Sequence, residues 1–396
     1  MKTTIIIIAL LFGTVSFCSL KAESSDYRIF GQITTVENKT FKGYITWNEN
    51  KRWWIDYFEA TKKDNPYASY FKNRNDIYFV NNNNRSTKPP VHVFMCRFGN
   101  ISKIRLIATN TIELQVKDGN FIELKKGGGN DIGGTVQLYD GTATYRFKWE
   151  QISEVSFSAP DSSFVASPEV PITGIARSTQ GMYKGVISYS KKNTLNSEIT
   201  GWSPSSKISI SFGDILQIQR SNSSLILKLG NETETKLRSA SDFSNAEGPL
   251  TVNMPNIGSV YIPWDKFEQL ELIPLKTVDI LSYNDFKSPN RLTGEVALRN
   301  GQTLKGIIAY DLDESMDFEV LDGKNDEISY RIPFKYVRSI EPKNYKFSFV
   351  TLRNGSTLSL GDSPDVNETN SGLLIFPEGE IPVYVPWKEV KLITFQ

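Results

Sequence analysis

Any chemistry in this chain has to come from a short inventory. One histidine, His92, and two cysteines, Cys18 and Cys96, stand among 396 residues. Those counts exclude a His-rich metal site, a Cys-type zinc site and a disulfide framework. His92 lies in the alternating run Val91-His92-Val93, which reads as strand. A Ser-His-Asp triad needs a positioned nucleophile, and no G-x-S-x-G elbow or comparable turn occurs. No phosphate-cradling Gly-rich loop precedes a helix, so nucleotide chemistry is not expected. Carboxylates remain. Asp311, Asp313 and Glu314 share one loop, and the expected environment is a solvated turn. Carboxylate pairs of the kind that hydrolyse glycosides converge only in space, so a secreted carboxylate-dependent hydrolase stays open as an alternative.

A second set offers hard oxygens. Asp365, Asn367 and Asn370 fall within Gly361 to Gly372, and Asp365 lies 22 residues before Trp387, as Asp242 does before Trp264. Asp131 follows a Gly-rich stretch at the corresponding place earlier in the chain. Such oxygens could hold calcium, although the spacing is not that of an EF-hand. The favoured reading is an Asx turn, in which these side chains cap their own backbone. No metal and no cofactor is therefore expected, with Asp365, Asn367 and Asn370 as the cation candidate.

The third set is aromatic. Residues 48–90 carry about 27 residues more than the corresponding stretches further on. They hold Arg52, Trp53, Trp54, Tyr57, Phe58, Tyr67, Tyr70 and Phe71, interleaved with lysines. Aromatic faces beside polar groups stack on sugars, and aromatics with Arg make protein hot spots. These eight residues are the candidate binding surface, for an envelope protein or a glycan. The other reading is an elaborated hairpin whose rings pack on the body of the fold. Nucleic acid is not an expected partner, because 45 basic and 44 acidic residues leave a net charge of +1.

The elements that must position these groups repeat. Gly31…Lys42-Gly43, Gly174…Lys184-Gly185 and Gly294…Lys305-Gly306 open three copies, each with an aromatic four residues after the second Gly: Trp47, Tyr189 and Tyr310. A second signature, an aromatic followed at i+3 and i+6 by apolar residues, occurs six times. It begins at Phe98, Trp149, Phe212, Trp264, Phe334 and Trp387, with separations of 51, 52 and 53 residues inside the copies. An i, i+3 step puts two side chains on one side of a single helical turn. Alternating runs precede it and short β-like runs follow it. The order strand, 3₁₀-like turn, strand resembles the small barrels of SH3-like, Sm-like and PRC-barrel type. The chain as a whole resembles secreted bacterial proteins built from tandem small β modules. The expected fold is all-β, three tandem copies of two small barrels each. Copies are expected at 23–160, 161–280 and 281–396, with the insertion in the first. Lys42, Lys184 and Lys305 read as edge-strand lysines that discourage aggregation, and Trp149, Trp264 and Trp387 as core anchors.

Residues 1–22 supply the compartment. Lys2, the apolar run Ile5 to Phe12, and Leu20 and Ala22 at the −3 and −1 positions of a cleavage site read as a secretory signal peptide cut before Glu23. No later segment is apolar enough for a transmembrane span. The expectation is an exported, periplasmic or cell-surface protein that is not an enzyme and serves as a binding or adaptor scaffold. A self-associating structural surface protein is the remaining alternative.

Overall fold

Alternation drives this chain into strands. Thr111–Val116 and Ile328–Pro333 bury every second side chain, as a sheet with one packed face requires. A computed structural model describes residues 27–396 except 73–76, 78, 82–83, 128–130, 163, 223 and 239–247. Residues 1–22, read as a signal peptide, and Asp242 lie outside the described residues. Among the described residues no helix is long and apolar enough to cross a membrane.

Three strand groups follow one another. Unit 1 contains β1 (Phe30–Thr35), β2 (Thr40–Trp47), β3 (Tyr57–Lys62), β4 (Phe79–Asn81), β5 (Asn84–Ser86) and β6 (Val93–Arg97). It continues with β7 (Ile101–Ala108), β8 (Thr111–Val116), β9 (Phe121–Lys125), β10 (Val136–Tyr139), β11 (Thr144–Phe147) and β12 (Ile152–Phe157). Unit 2 contains β13 (Ile172–Ser178), β14 (Gly181–Tyr189), β15 (Glu198–Trp202), β16 (Lys207–Ser211) and β17 (Ile215–Ser221). It ends with β18 (Ser224–Leu229), β19 (Glu234–Arg238), β20 (Leu250–Met254), β21 (Gly258–Ile262) and β22 (Phe267–Leu272). Unit 3 contains β23 (Thr293–Leu298), β24 (Thr303–Tyr310), β25 (Val320–Asn325), β26 (Ile328–Pro333) and β27 (Val337–Pro342). It ends with β28 (Phe347–Leu352), β29 (Thr357–Gly361), β30 (Leu373–Phe376), β31 (Val383–Val385) and β32 (Val390–Phe395).

The strand order is the same three times. Unit 1 runs β11-β10-β2-β1-β12-β7-β8-β9-β3-β6, all antiparallel. Unit 2 runs β21-β20-β14-β13-β22-β17-β18-β19-β15-β16. Unit 3 runs β31-β30-β24-β23-β32-β27-β28-β29-β25-β26. β21 then pairs with β26, so units 2 and 3 share one sheet of 20 strands beside the ten-stranded sheet of unit 1.

This corrects the expected barrels, because the pairings close none. The last strand of each unit pairs on both sides, as β12 does with β1 and β7, and so zips two five-stranded groups edge to edge. The two groups are not consecutive either. β3 and β6–β9 of unit 1, β15–β19 of unit 2 and β25–β29 of unit 3 each form one group, inserted between the first two and last three strands that form the other.

The repeated sequence features have clear roles. The opening glycines face each other as Gly31↔Gly43, Gly174↔Gly185 and Gly294↔Gly306. A Cβ at Gly43 or Gly306 would sit 2.2 Å from a carbonyl oxygen of the neighbouring strand, so only glycine lets the strands approach. The aromatic signature gives a single 3₁₀ turn at Phe98, Trp149, Phe212, Phe334 and Trp387, and a related turn at Trp264. Its side chains fill the cores; only Trp264 stays half-buried, stacked on Phe267 with ring centroids 5.1 Å apart. Lys42, Lys184 and Lys305 sit on β2, β14 and β24, which are interior strands, so the edge-guarding reading is replaced by an exposed face position.

Candidate functional site

The insertion folds inward. Trp53 and Trp54 are buried in the core of unit 1, and Trp54 meets Tyr283 of the segment leading into unit 3 at 4.6 Å between centroids. Phe58 packs between Trp47 and Phe98. Tyr57 is buried against Met95 and Val320, and its hydroxyl donates to the Arg331 carbonyl at 3.3 Å. Tyr67 and Phe71, with Ile77 and Phe79, close over Ala309, Leu312 and Leu374 of unit 3. The Arg52 guanidinium pairs with Glu169 at 3.1 Å and donates to Asn193 Oδ1 at 3.0 Å. Of the eight candidate residues only Tyr70 keeps a largely open ring, at 48 % exposure. Of the eight, Tyr57, Tyr67 and Phe71 thus form a clamp against unit 3, while Trp53, Trp54 and Phe58 lie in the core of unit 1. Large rings gain most where they lose water on both faces, and the gap between two units supplies that.

The aspartate loops recur in atomic detail. In unit 1 the buried Asp131 carboxylate accepts from Glu59 N at 2.7 Å, Asn48 Nδ2 at 2.7 Å and Lys51 Nζ at 2.5 Å, while Trp47 Nε1 donates to its carbonyl at 3.0 Å. In unit 3 the buried Asp365 carboxylate accepts from Asp322 N at 2.6 Å, and the Tyr310 hydroxyl donates to its carbonyl. Trp47 and Tyr310 both end the second strand. Asn48 and Asp311 follow with φ of 49° and 44°, and Lys51 and Glu314 both bridge back to the aromatic. Asn367 Oδ1 accepts from Thr369 N and Oγ1, and Asn370 Oδ1 accepts from Gly372 N. These two oxygens cap their own turn, and Asn370 Nδ2 donates to the Asp365 carbonyl at 3.3 Å.

Unit 3 therefore has two acids where unit 1 has an amide and an ammonium. The loop expected to be solvated is instead buried: Asp311 is 0 %, Asp313 1 % and Glu314 7 % exposed. Unit 1 brings two cations to it. Lys62 Nζ lies 2.6 Å from Glu319 Oε1 and 3.1 Å from Asp313 Oδ1, and donates to the Asp313 carbonyl at 2.6 Å. His92, just ahead of β6, puts Nδ1 3.4 Å from Asp311 Oδ2 and 3.8 Å from Glu314 Oε1. Its backbone N–H donates to Asp313 Oδ2 at 3.0 Å. Burial opposes the imidazolium, but the facing carboxylates of Glu314, Asp311 and Asp313 override it and hold His92 up at about 10. Burial, helped by neighbouring acids and opposed by His92, lifts Glu314 to about 7 and Asp311 to about 6. Asp365 is pushed well above the carboxylate range by burial and by the charges of Glu314, Asp322 and Asp311.

A second polar junction joins all three units. Arg331 of β26 reaches Glu59 of β3 and the Tyr261 hydroxyl of β21, at 3.0 and 3.1 Å. A cavity of about 180 Å³ opens beside it, lined by Lys51, Glu59, Asn193, Asn253 and Tyr261. Sequence reasoning missed both junctions because their partners are up to 274 residues apart. One signal was available: aligning the copies past Trp47 and Tyr310 sets Asn48 against Asp311 and Lys51 against Glu314.

The last element that matters is an edge. β26 receives β21, with Ser259↔Arg331, Val260↔Tyr330 and Tyr261↔Ser329 in register. β16 holds the same place in unit 2, and among the described residues it pairs only with β15. It presents Lys207, Ser209 and Ser211 on one face and the half-buried Ile208 and Ile210 on the other.

No protein-family model, no curated protein and no solved structure matches this chain.

Proposed function

We propose that the chain is an exported, non-catalytic scaffold that binds a protein partner by strand addition to β16. One observation carries the reading: the chain already satisfies the equivalent edge, β26, with an extended segment of its own, while β16 is left with open N–H and C=O groups among the described residues. Main-chain pairing gives such an edge affinity, and pockets for alternate side chains give it selectivity. The protein arm is preferred over the glycan arm because the aromatic faces that would stack on sugars are spent on the clamp and the core of unit 1. Export rests on residues 1–22, and N-terminal sequencing of the secreted protein is expected to begin at Glu23.

The binding test uses a synthetic peptide of residues 256–264, the strand that β26 accepts. It is expected to bind the protein. Successive residues of an edge strand point their N–H groups to opposite sides, so Ile208→Pro or Ser209→Pro removes an outward donor. One of the two is expected to weaken binding at least tenfold while leaving the melt unchanged. Equal binding by both variants removes β16 as the recognition edge. Concentration-dependent dimers lost in the same variant identify the partner as a second copy.

A further inference from the structure

We propose that the junction of units 1 and 3 is a metal site, taking one first-row divalent ion of zinc type through His92, Asp313 and Glu314, with Asp311 beside them. This proposal does not depend on the scaffold reading.

Three observations converge. First, His92, Asp313 and Glu314 each offer a ligand atom, and these atoms all lie within 4.8 Å of one another. Asp311 Oδ2, not one of that group, lies 3.4 Å from His92 Nδ1. Second, three buried polar atoms of His92, Asp311 and Glu314 make no hydrogen bond, although His92 Nδ1 and Asp311 Oδ2 face each other as an ion pair at 3.4 Å. The third is Glu314 Oε2, and Asp311 is 0 % and Glu314 7 % exposed. Buried polar atoms are almost always partnered, so three in one cluster mark a missing partner. Third, the repeat supplies a control inside the molecule. In unit 1 the same backbone frame closes on a cation, with Lys51 Nζ 2.5 Å from Asp131. In unit 3 that cation is replaced by an acid, Glu314, and the neutral Asn48 by a second acid, Asp311.

The charges agree. Asp311, Asp313, Glu314 and Glu319 face Lys62 and His92, with Asp365 adjoining them. Lys62 satisfies Glu319 and Asp313 Oδ1, and the His92 backbone N–H reaches Asp313 Oδ2, which leaves Asp311 and Glu314 without a cation once His92 gives up its proton to serve as a ligand. A dication makes up that deficit. An imidazole nitrogen with carboxylate oxygens suits zinc-type ions, whereas calcium and magnesium favour all-oxygen shells. The His92 side chain is 24 % exposed, which gives the ion a path in. Bound there, it would pin the segment ahead of β6 to the loop after β24, and so fasten unit 1 to unit 3.

The test is titration of the chelator-stripped full protein with Zn²⁺, read by calorimetry and by thermal melt. One equivalent is expected to bind, and saturating metal is expected to raise the midpoint by about 2–4 °C. The decisive variant is Asp311→Asn with Glu314→Lys, which copies the arrangement of unit 1. It is expected to fold, to melt no lower than the stripped wild type, and to lose Zn²⁺ affinity by at least roughly 100-fold. If that variant fails to fold, His92→Gln at the half-exposed position is read instead, with the same loss expected. Absence of Zn²⁺ binding by the wild type overturns the proposal. So does undiminished binding by either variant, or a response to Ca²⁺ with none to Zn²⁺.

Discussion

Single residues here act as bolts between units, and their cost on removal follows from burial. Asp131 is 1 % exposed and its charge is matched by Lys51. Lys51→Met strands that carboxylate, and the expected loss is about 3–5 kcal/mol in urea unfolding. A loss below about 1 kcal/mol would mean that Asn48 and the Glu59 amide suffice alone. Trp387→Ala opens the core of unit 3 and is expected to cost about 3–5 kcal/mol, with Trp264→Ala costing clearly less because its ring is half-buried. Lys117 and Lys335 flank Phe286, one donating to its carbonyl at 2.8 Å and the other over its ring at 5.4 Å. Burial first, then nearby cations, lowers both to about 8. Between about 8 and 10.5 the unfolded chain therefore binds more protons than the folded one at these two lysines, which add stability as pH rises, against the loss that His92, held up at about 10, contributes there. Lys335→Met is expected to remove part of that gain in melts taken from pH 8 to 10.5; an unchanged pH dependence assigns it to other groups.

At the scale of elements, the insertion is the part whose role changed most on going from sequence to structure. Its excess length and aromatic density were legible, and so was the packed-hairpin alternative. What it packs against was not, because Ala309, Leu312 and Leu374 lie more than 200 residues further along the chain. The six turn signatures and paired glycines were legible for the opposite reason. They are local, and local geometry is what a spacing of three or of two encodes. The expected closed barrels failed where locality ended, since strand alternation does not say which neighbour the last strand of a group selects. Replacing residues 64–89 by a short Gly/Ser turn removes Tyr67, Phe71 and Phe79 from the clamp. The variant is expected to keep a β-type spectrum, to melt lower and to bind a hydrophobic dye at the bared patch of unit 3. A melt equal to wild type would show that the clamp contributes nothing.

The whole molecule is a repeat that no longer behaves as separate beads. Units 2 and 3 share a sheet, and unit 1 is tied to unit 2 through Arg97, which donates to the carbonyls of Pro255 and Met254 at 3.0 and 3.1 Å, and to unit 3 through the same guanidinium, 5.9 Å from the centre of the Tyr336 ring. The segment between units 2 and 3 docks on unit 1, with Phe286 against Gly99, where a Cβ would lie 2.2 Å from the ring. Residues 281–396 alone are accordingly expected to form β structure with a lower melting midpoint than the full chain, since β26 and the acidic loop lose their partners. An equal midpoint would return the units to independence. The asymmetry of the edges is the central claim: β26 is filled and β16 is open. Hydrogen–deuterium exchange, with and without the peptide of residues 256–264, tests it most directly. The account predicts slow exchange at Ile328–Pro333, fast exchange at Lys207–Ser211, and protection gained at Lys207–Ser211 when the peptide is added. Slow exchange at Lys207–Ser211 without peptide, or no protection with it, would contradict the account.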